Sequence, residues 1–282
     1  MADPSSSDSS RTPKPFYGVY LAAGLSSRFG YRIKCLQQVG RCGETLLELS
    51  VRQLLNQSVS AIIIIVSDST YAQIHDVVGD NFLGLPVRYA YQVTPPYRKK
   101  PLGTVAALLA AKNLLDEPFI ILNGDTLYGD SALEHVCTHI RYKDTPCMPG
   151  YPLRDVLPQS GKVNRAVVGI EGSCLTRIVE QYNISMDDIR TGKYTGDELT
   201  SMNIFGFQPS ILDFAQRKLN AWLKQNPTDD TSEYILSTML NDLLPEEGTR
   251  TYVYGVGNSI PLELTNPEDF AYVRNNLDRV GL

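Results

Sequence analysis

Small residues and positive charge gather where a strand should end, in LAAGLSSRFGYRIK, Leu21 to Lys34. Gly24 has no side chain, so backbone amides after the strand can approach a ligand, and Ser26 and Ser27 add small hydroxyl donors. Successive amides around such a turn form an anion-binding concavity. Arg28 brings a planar fork of donors suited to phosphate oxygens, and Lys34 a compact, mobile charge. Charge-assisted bonds of this kind are worth about 1.5–3 kcal/mol each, and a triphosphate uses several. The pattern is neither G-x-G-x-x-G nor G-x-x-x-x-G-K-[ST]. A tight turn followed by solvated cations is the plain alternative, and Arg32 reads as surface charge.

The acidic counterpart is Asp125, delivered by FIILN to a second strand end, where Gly124 lets the backbone turn closely. A hard carboxylate there suits Mg²⁺, which needs oxygen ligands and shares them with substrate phosphates. The alternative is a turn aspartate that accepts backbone N–H bonds. Asn123 reads as support rather than as a metal ligand. Gln92, ending VRYAYQ, and Gly103-Thr104, opening a helix, are suited to reading a base edge, or equally to edge-strand polarity and a helix cap. His75 and His139 read as surface or helix residues. His135 lies four residues before His139 without the glutamate of H-E-x-x-H, so zinc is not expected. No Ser-His-Asp or Cys-His arrangement is declared locally.

These residues need elements to hold them. FYGVYLAA, AIIIIV (Ala61 to Val66), VRYAYQ (Val87 to Gln92) and PFIILNGD read as strands. Glu44 to Leu55, Tyr71 to Val78 and Thr104 to Leu115 read as helices. Strand and helix alternate, which predicts a doubly wound α/β fold with a mixed, mostly parallel sheet. Ligands in such sheets bind beyond the carboxyl ends of the strands, where LAAGLSSRFG and LNGDTLYG both sit. Later, Tyr142 to Gly161 and Asn183 to Thr200 read as loops, and Val163 to Ile170, Leu175 to Gln181, Ser201 to Gln208 and TYVYGV as strands. Helices are predicted from Pro209 toward Leu223, over Ser232 to Leu244 and over Pro267 to Leu277. Residues 1–15 read as a disordered tail. Residues 16–282 read as one domain.

The formal net charge of −5 argues against broad nucleic-acid binding but leaves room for a local anion pocket. No apolar run approaches the length of a bilayer span. The five cysteines form no C-x-x-C pair and, with no apolar leader at the N-terminus, point to a reducing, cytoplasmic setting. Oligomeric state leaves no mark in the sequence.

The ordered set LAAGLSSRFGYRIK, RKKPLGTVAALLAAKNLL, ILNGDTLYG, RIVEQ, SMNIFGFQPSIL, SEYILSTML and LTNPEDF resembles the sugar nucleotidyltransferases, across about Tyr17 to Asp269. It is most similar to a bacterial-type branch in which a strand ending in Gln precedes K-P-x-G-T. The resemblance implies a nucleotide-diphospho-sugar transferase-like (glycosyltransferase-A-like) fold. It also implies Mg²⁺-dependent joining of a nucleoside triphosphate to a phosphorylated acceptor, usually a sugar 1-phosphate, with release of pyrophosphate. Carried over, Ala23, Gly24, Ser26 and Arg28 hold the triphosphate, Lys34 stabilises charge at the α-phosphate, and Gln92, Gly103 and Thr104 lie near the base. Asp125 holds Mg²⁺, and Asn123, Glu180 and Asn203 line the acceptor side. Arg28, Lys34 and Asp125 are then the catalytic set.

Two departures stand out. Relatives often follow the acceptor-side glutamate with a lysine, where this chain has Gln181, so Arg177 or Lys193 are candidates to supply that charge. Relatives often carry a second metal aspartate where this chain has Thr265, leaving Glu263, two residues away, as the candidate second ligand. Asp269 reads as a helix-start residue. Alternative readings are cytidylyl transfer to a small phosphorylated alcohol such as phosphocholine, a glycosyltransferase, and a non-catalytic nucleotide- or sugar-binding module.

Overall fold

The run AIIIIV is buried at every position, as a strand covered on both faces must be. The structure, a computed structural model, describes residues 12–24, 30, 33–158, 161–246, 248–257 and 259–282. In chain order the first half holds β1 (Tyr17–Leu21), α1 (Leu46–Leu55), β2 (Ala61–Val66), α2 (Tyr71–Val78), β3 (Asn81–Phe82), β4 (Leu85–Tyr91), α3 (Thr104–Ala110), β5 (Phe119–Asn123), β6 (Thr126–Leu127) and α4 (Asp130–Tyr142). Next come β7 (Cys147–Pro152), β8 (Val163–Glu171), β9 (Cys174–Ile184), α5 (Met186–Arg190), β10 (Leu199–Ser201) and β11 (Phe205–Phe207). The chain closes with α6 (Ile211–Gln225), α7 (Leu236–Leu243), β12 (Tyr252–Gly255), β13 (Leu262–Glu263) and α8 (Asp269–Asn275).

Among the described residues, eleven strands form one sheet in the order β10-β8-β9-β12-β7-β11-β5-β1-β2-β4-β3, and β13 pairs with β6 as a separate ribbon. The expected mixed α/β sheet is present. Its parallel part, β5-β1-β2-β4, comes from the first half of the chain. In the second half β12 runs parallel to β7, while β8, β9, β10 and β11 pair antiparallel.

Strand alternation divides the interior. Ile62 and Ile64 of β2 join a core with Leu47 and Val51 of α1, Ile74 of α2 and Val136 of α4. Ile63 and Ile65 join a core on the opposite face with Leu108 of α3, Phe214 of α6 and Met239 of α7. A small third cluster packs Leu46 and Leu49 of α1 against Leu127 of β6, Leu262 of β13 and Val273 of α8. That cluster seats the late β13 segment beside the first half. A capping box opens α1, with Thr45 and Glu48 satisfying each other's backbone N–H groups.

Several expectations are corrected. Tyr142 to Gly161 contains β7, an interior strand, despite Pro149 and Gly150. On one flank β7 meets β11 only at Cys147 and β10 only from Tyr151, so Pro149 sits where the ladder is open and a missing N–H costs least. Asn183 to Thr200 contains α5 and the start of β10. Ser201 to Gln208 is not one strand. Asn203, at φ 57, breaks it between β10 and β11, which pair with different neighbours. α4 is absent from the expected helices; His139 lies on it, one of the two settings expected for that residue, and is buried there. His139 Nδ1 lies 2.8 Å from the Tyr254 hydroxyl, and burial pushes its pKa down to about 4, so the ring is neutral. All five cysteines are unpaired, and among the described residues no helix is long and apolar enough to cross a membrane. Of the segment expected to be a tail, residues 1–11 lie outside the described residues, and Lys14 pairs with Asp144 at 2.7 Å.

α4 packs directly on β11 at Gly206, where a Cβ would lie 2.5 Å from Ile140 Cγ2 and 2.7 Å from Cys147 Sγ. Gly206→Ala is therefore expected to lower stability by about 1–3 kcal/mol through overpacking. Urea unfolding should show an earlier midpoint with an unchanged slope, and an unmoved midpoint would mean that α4 yields without cost.

Candidate active site

Two parallel strand ends form the floor of the site. Leu21 of β1 pairs with Asn123 of β5, and Gly124 N–H donates to the Leu21 carbonyl at 3.0 Å. A Cβ at Gly124 would crowd that carbonyl at 3.1 Å, so glycine lets the ends close. Further along the chain a 3₁₀ turn, Lys34–Leu36, carries Lys34 to the strand ends. The Lys34 ammonium pairs with Asp125 Oδ2 at 2.5 Å and donates to the Leu264 carbonyl at 3.1 Å.

The wall comes from the end of the chain. In the β6–β13 ribbon Glu263 is the register partner of Thr126, and Leu264 N–H donates to the Asp125 carbonyl at 3.3 Å. Glu263 thus joins the cavity that holds Asp125 and Lys34. Its carboxylate pairs with Arg165 Nη2 at 2.6 Å and accepts from Thr265 Oγ1 at 3.1 Å. Burial alone would push the Glu263 carboxyl up, but the charges of Arg165 and Lys34 outweigh it and hold its pKa below the ordinary carboxylate range. Arg165 is braced in turn by the Val156 and Asn164 carbonyls.

The resulting cavity measures about 640 Å³. Gly24, Lys34, Asn123, Asp125, Glu263 and Thr265 line it on one side, and Lys162, Asn164, Arg165 and Asn183 line it from the β8–β9 region. A second, smaller cavity of about 40 Å³ brings Asn123, Glu180 and Asn203 together with Ser201, Arg165 and Glu263. Strand register explains this grouping, because Ala166 of β8 pairs with Glu180 of β9 on one side and with Ser201 of β10 on the other. The break at Asn203 is tied down by its N–H, which donates to Ser201 Oγ at 3.1 Å. Asparagine tolerates this left-handed backbone better than most residues. Burial raises the Glu180 carboxyl above its ordinary range, against the opposing effects of Ser237 and Arg165.

The structure does not gather every residue expected from sequence. Ser26 and Arg28 lie outside the described residues. Ala23 sits just past β1, its carbonyl accepting from Ser67 Oγ at 2.9 Å. Gln92, Gly103 and Thr104 line neither cavity. Gln92 Nε2 donates to the Gly103 carbonyl at 3.2 Å, and Thr104 Oγ1 accepts the Leu236 N–H at 2.9 Å. Gly103 adopts φ +104, and a Cβ there would lie 2.5 Å from the Tyr234 carbonyl oxygen. In this structure these three residues join the start of α3 to the start of α7. Arg177 and Lys193 line neither cavity, and Lys193 pairs with Asp188 at 3.0 Å. Asp269 accepts the Asn266 N–H at 2.7 Å at the start of α8. Sequence reasoning missed Lys162, Asn164, Arg165 and Asn183. The available signal was GKVNR, two cations and an amide packed into the entry of a strand.

Asp125 and Glu263 bring two carboxylates to one cavity, and among the described residues no group of three or more histidine, cysteine or acidic side chains is placed to hold a metal. Mg²⁺ takes one or two carboxylates and completes its shell with water and substrate phosphates. The donor set fits that ion.

The sequence model of the MobA-like NTP transferase domain matches residues 18–168, more than half of the chain. No curated protein matches the sequence. Among solved structures, the inositol-1-phosphate CTP transferase from T. maritima aligns with a TM-score of 0.66 at 17% identity, covering 94% of this chain and 95% of that one. A Bacillus anthracis protein provisionally named a glucose-1-phosphate thymidylyltransferase, in complex with sucrose, aligns with a TM-score of 0.65 at 14% identity, over 94% of this chain and 95% of that one. HddC from Yersinia pseudotuberculosis, complexed with GMP-PN, gives 0.60 at 19% identity, over 93% of this chain and 99% of that one. At these identities the likeness is one of fold.

The Arg165–Glu263 pair yields a stability prediction with a definite sign. The folded-state pKa of Glu263 lies below its unfolded value. The stability it contributes is present above the ordinary glutamate range and is lost as pH falls through the lowered pKa. Arg165→Ala leaves a buried carboxylate without its cation, an expected loss of about 3 kcal/mol at neutral pH. Urea unfolding should show that loss shrinking in acid, as Glu263 takes up a proton. A loss independent of pH would assign the effect to packing instead.

Proposed function

The chain belongs to the MobA-like NTP transferase family, and we propose that it transfers the nucleoside monophosphate part of an NTP to a phosphorylated small-molecule acceptor, a sugar 1-phosphate, releasing pyrophosphate. The observation that carries this reading is the Lys34–Asp125 pair at the carboxyl ends of β1 and β5, sharing one cavity wall with the pocket of Glu180 and Asn203. A nucleotide bound over Gly24 and Lys34 and an acceptor held by Asn123, Glu180 and Asn203 would meet between those groups.

Transfer then needs little beyond alignment and charge stabilisation. The acceptor phosphate is ionised near neutral pH and requires no protein base, which agrees with a site that contains no histidine among its described lining. An acceptor phosphate oxygen bonds to the α-phosphorus as the bond to the pyrophosphate oxygen breaks on the opposite side. The Lys34 ammonium stabilises charge on the transferring phosphoryl group. Asp125 and Glu263 would hold Mg²⁺, which when bound neutralises phosphate charge. Glu180 and Asn203 would bond acceptor hydroxyls.

A polyhydroxylated acceptor is favoured over phosphocholine by the lining. Among the described residues neither cavity presents an aromatic ring, the usual partner of a quaternary ammonium.

Each NTP, with Mg²⁺ and a pooled panel of sugar 1-phosphates plus phosphocholine, is expected to give acceptor-dependent pyrophosphate with one preferred base. Mass spectrometry of the coupled product identifies the acceptor, and release of a nucleoside diphosphate instead would point to a glycosyltransferase. Lys34→Ala should lower kcat by about 100-fold or more while the circular dichroism spectrum stays unchanged. Near-normal turnover in that variant would remove Lys34 from the reaction.

A further inference from the structure

Charge around the main cavity is not fully matched. Lys34 is paired with Asp125 and Arg165 with Glu263. Lys162, exposed at the entry to β8, lines the same cavity and has no acidic partner among the described residues. Three cations against two carboxylates leave the described lining one positive charge in excess.

Arg165, three residues on, has donor capacity to spare. A guanidinium carries five N–H groups. Nε and Nη2 donate to the Val156 carbonyl, Nη2 also to Glu263, and Nη1 to the Asn164 carbonyl. One Nη1 N–H is left without a partner among the described residues. Arg165 also borders both the main cavity and the small cavity of Glu180 and Asn203.

The segment that carries both cations is held in place. Asn164 Oδ1 accepts the Asn183 N–H at 3.1 Å, and the Val156 carbonyl anchors Arg165. Directly opposite Arg165 in the β8–β9 register is Gln181, an uncharged amide 3.4 Å from the Tyr194 hydroxyl. Of the cations lining the main cavity, Lys162 and Arg165 come from β8 and its entry, and Arg165 also borders the Glu180 pocket.

Resting on the nucleotidyl-transfer reading, we propose that Lys162 and Arg165 form the subsite for the acceptor's own phosphate, a paired ammonium and guanidinium that select a phosphate monoester as acceptor. Arg165 has two functions in this arrangement, holding Glu263 with one edge of its fork and meeting the phosphate with its remaining donor. Lys162 supplies the excess charge that the dianion requires.

The test is calorimetric titration of the full chain with Mg²⁺, using wild type, Lys162→Gln and Arg165→Lys. Each protein is titrated with the four NTPs, with pyrophosphate, and, once NTP-loaded, with inorganic phosphate as the probe. Lys162→Gln should weaken inorganic phosphate about tenfold, the loss of one charge-assisted contact, and leave NTP and pyrophosphate within about twofold. Arg165→Lys keeps a cation beside Glu263 but loses the fork, and it too should weaken phosphate without weakening NTP. Equal phosphate affinity in wild type and Lys162→Gln overturns the subsite. A loss that falls on NTP or pyrophosphate overturns it as well, by assigning Lys162 to the triphosphate. NTP binding by a wild type that then takes up no phosphate overturns the subsite alone. A wild type that binds no NTP overturns the nucleotidyl-transfer reading, and the subsite with it.

Discussion

The contact between Lys34 and Asp125 sets the architecture of this site. An ammonium and a carboxylate at a partly buried sheet edge each lose hydration, and each lowers the cost of placing the other there. The pair holds the 3₁₀ turn at Lys34 against the end of β5, which carries Asp125. The Leu264 carbonyl adds a second attachment to the same ammonium, from a segment 230 residues further on. The Lys34 ammonium, the Asp125 carboxylate and the late chain thus depend on one interaction for their relative positions.

The late segment reaches that position through packing as much as through charge. Two residues of ribbon, Leu262 and Glu263 against Leu127 and Thr126, are too few to be stable alone. Leu262 and Leu264 are buried in the small cluster with α1 and α8, and this apolar anchor is what makes the ribbon persist. Once it does, Glu263 sits in a buried position whose carboxylate needs cations, and Arg165 and Lys34 supply them. Packing of the chain's end against α1 is therefore coupled to the electrostatics of the cavity.

The sheet divides the work between two kinds of pairing. The parallel strands β5, β1, β2 and β4 have helices over both faces and place their loops at one edge, which makes a rigid platform. The antiparallel strands β8, β9 and β10 bring side chains from three separate stretches into one row at Ala166, Glu180 and Ser201. Such a row can be altered residue by residue without disturbing the platform.

Much of the platform was legible in the chain. AIIIIV, the Tyr71–Val78 helix and the strand leading to Asp125 follow from β-branched runs, apolar periodicity and glycine at turns, all of which act within a few residues. α4 was legible in principle, since Leu133, Val136, Cys137 and Ile140 recur at helical spacing, but the polar residues between them masked the stripe. The proline and glycine of β7 pointed to a loop, because an open flank in the ladder is a property of the assembled sheet. By itself, then, the sequence determined which residues stand at the ends of the first-half strands, because those signals are local. Only the tertiary structure decided which charges meet. Arg165 finds Glu263 across 98 residues through the β8 register and the β6–β13 ribbon, while Gln92 and Thr104 turn instead to the backbone joining α3 to α7. The physical reason is that an ion pair is chosen by proximity after packing, and proximity between distant segments is set by the whole sheet.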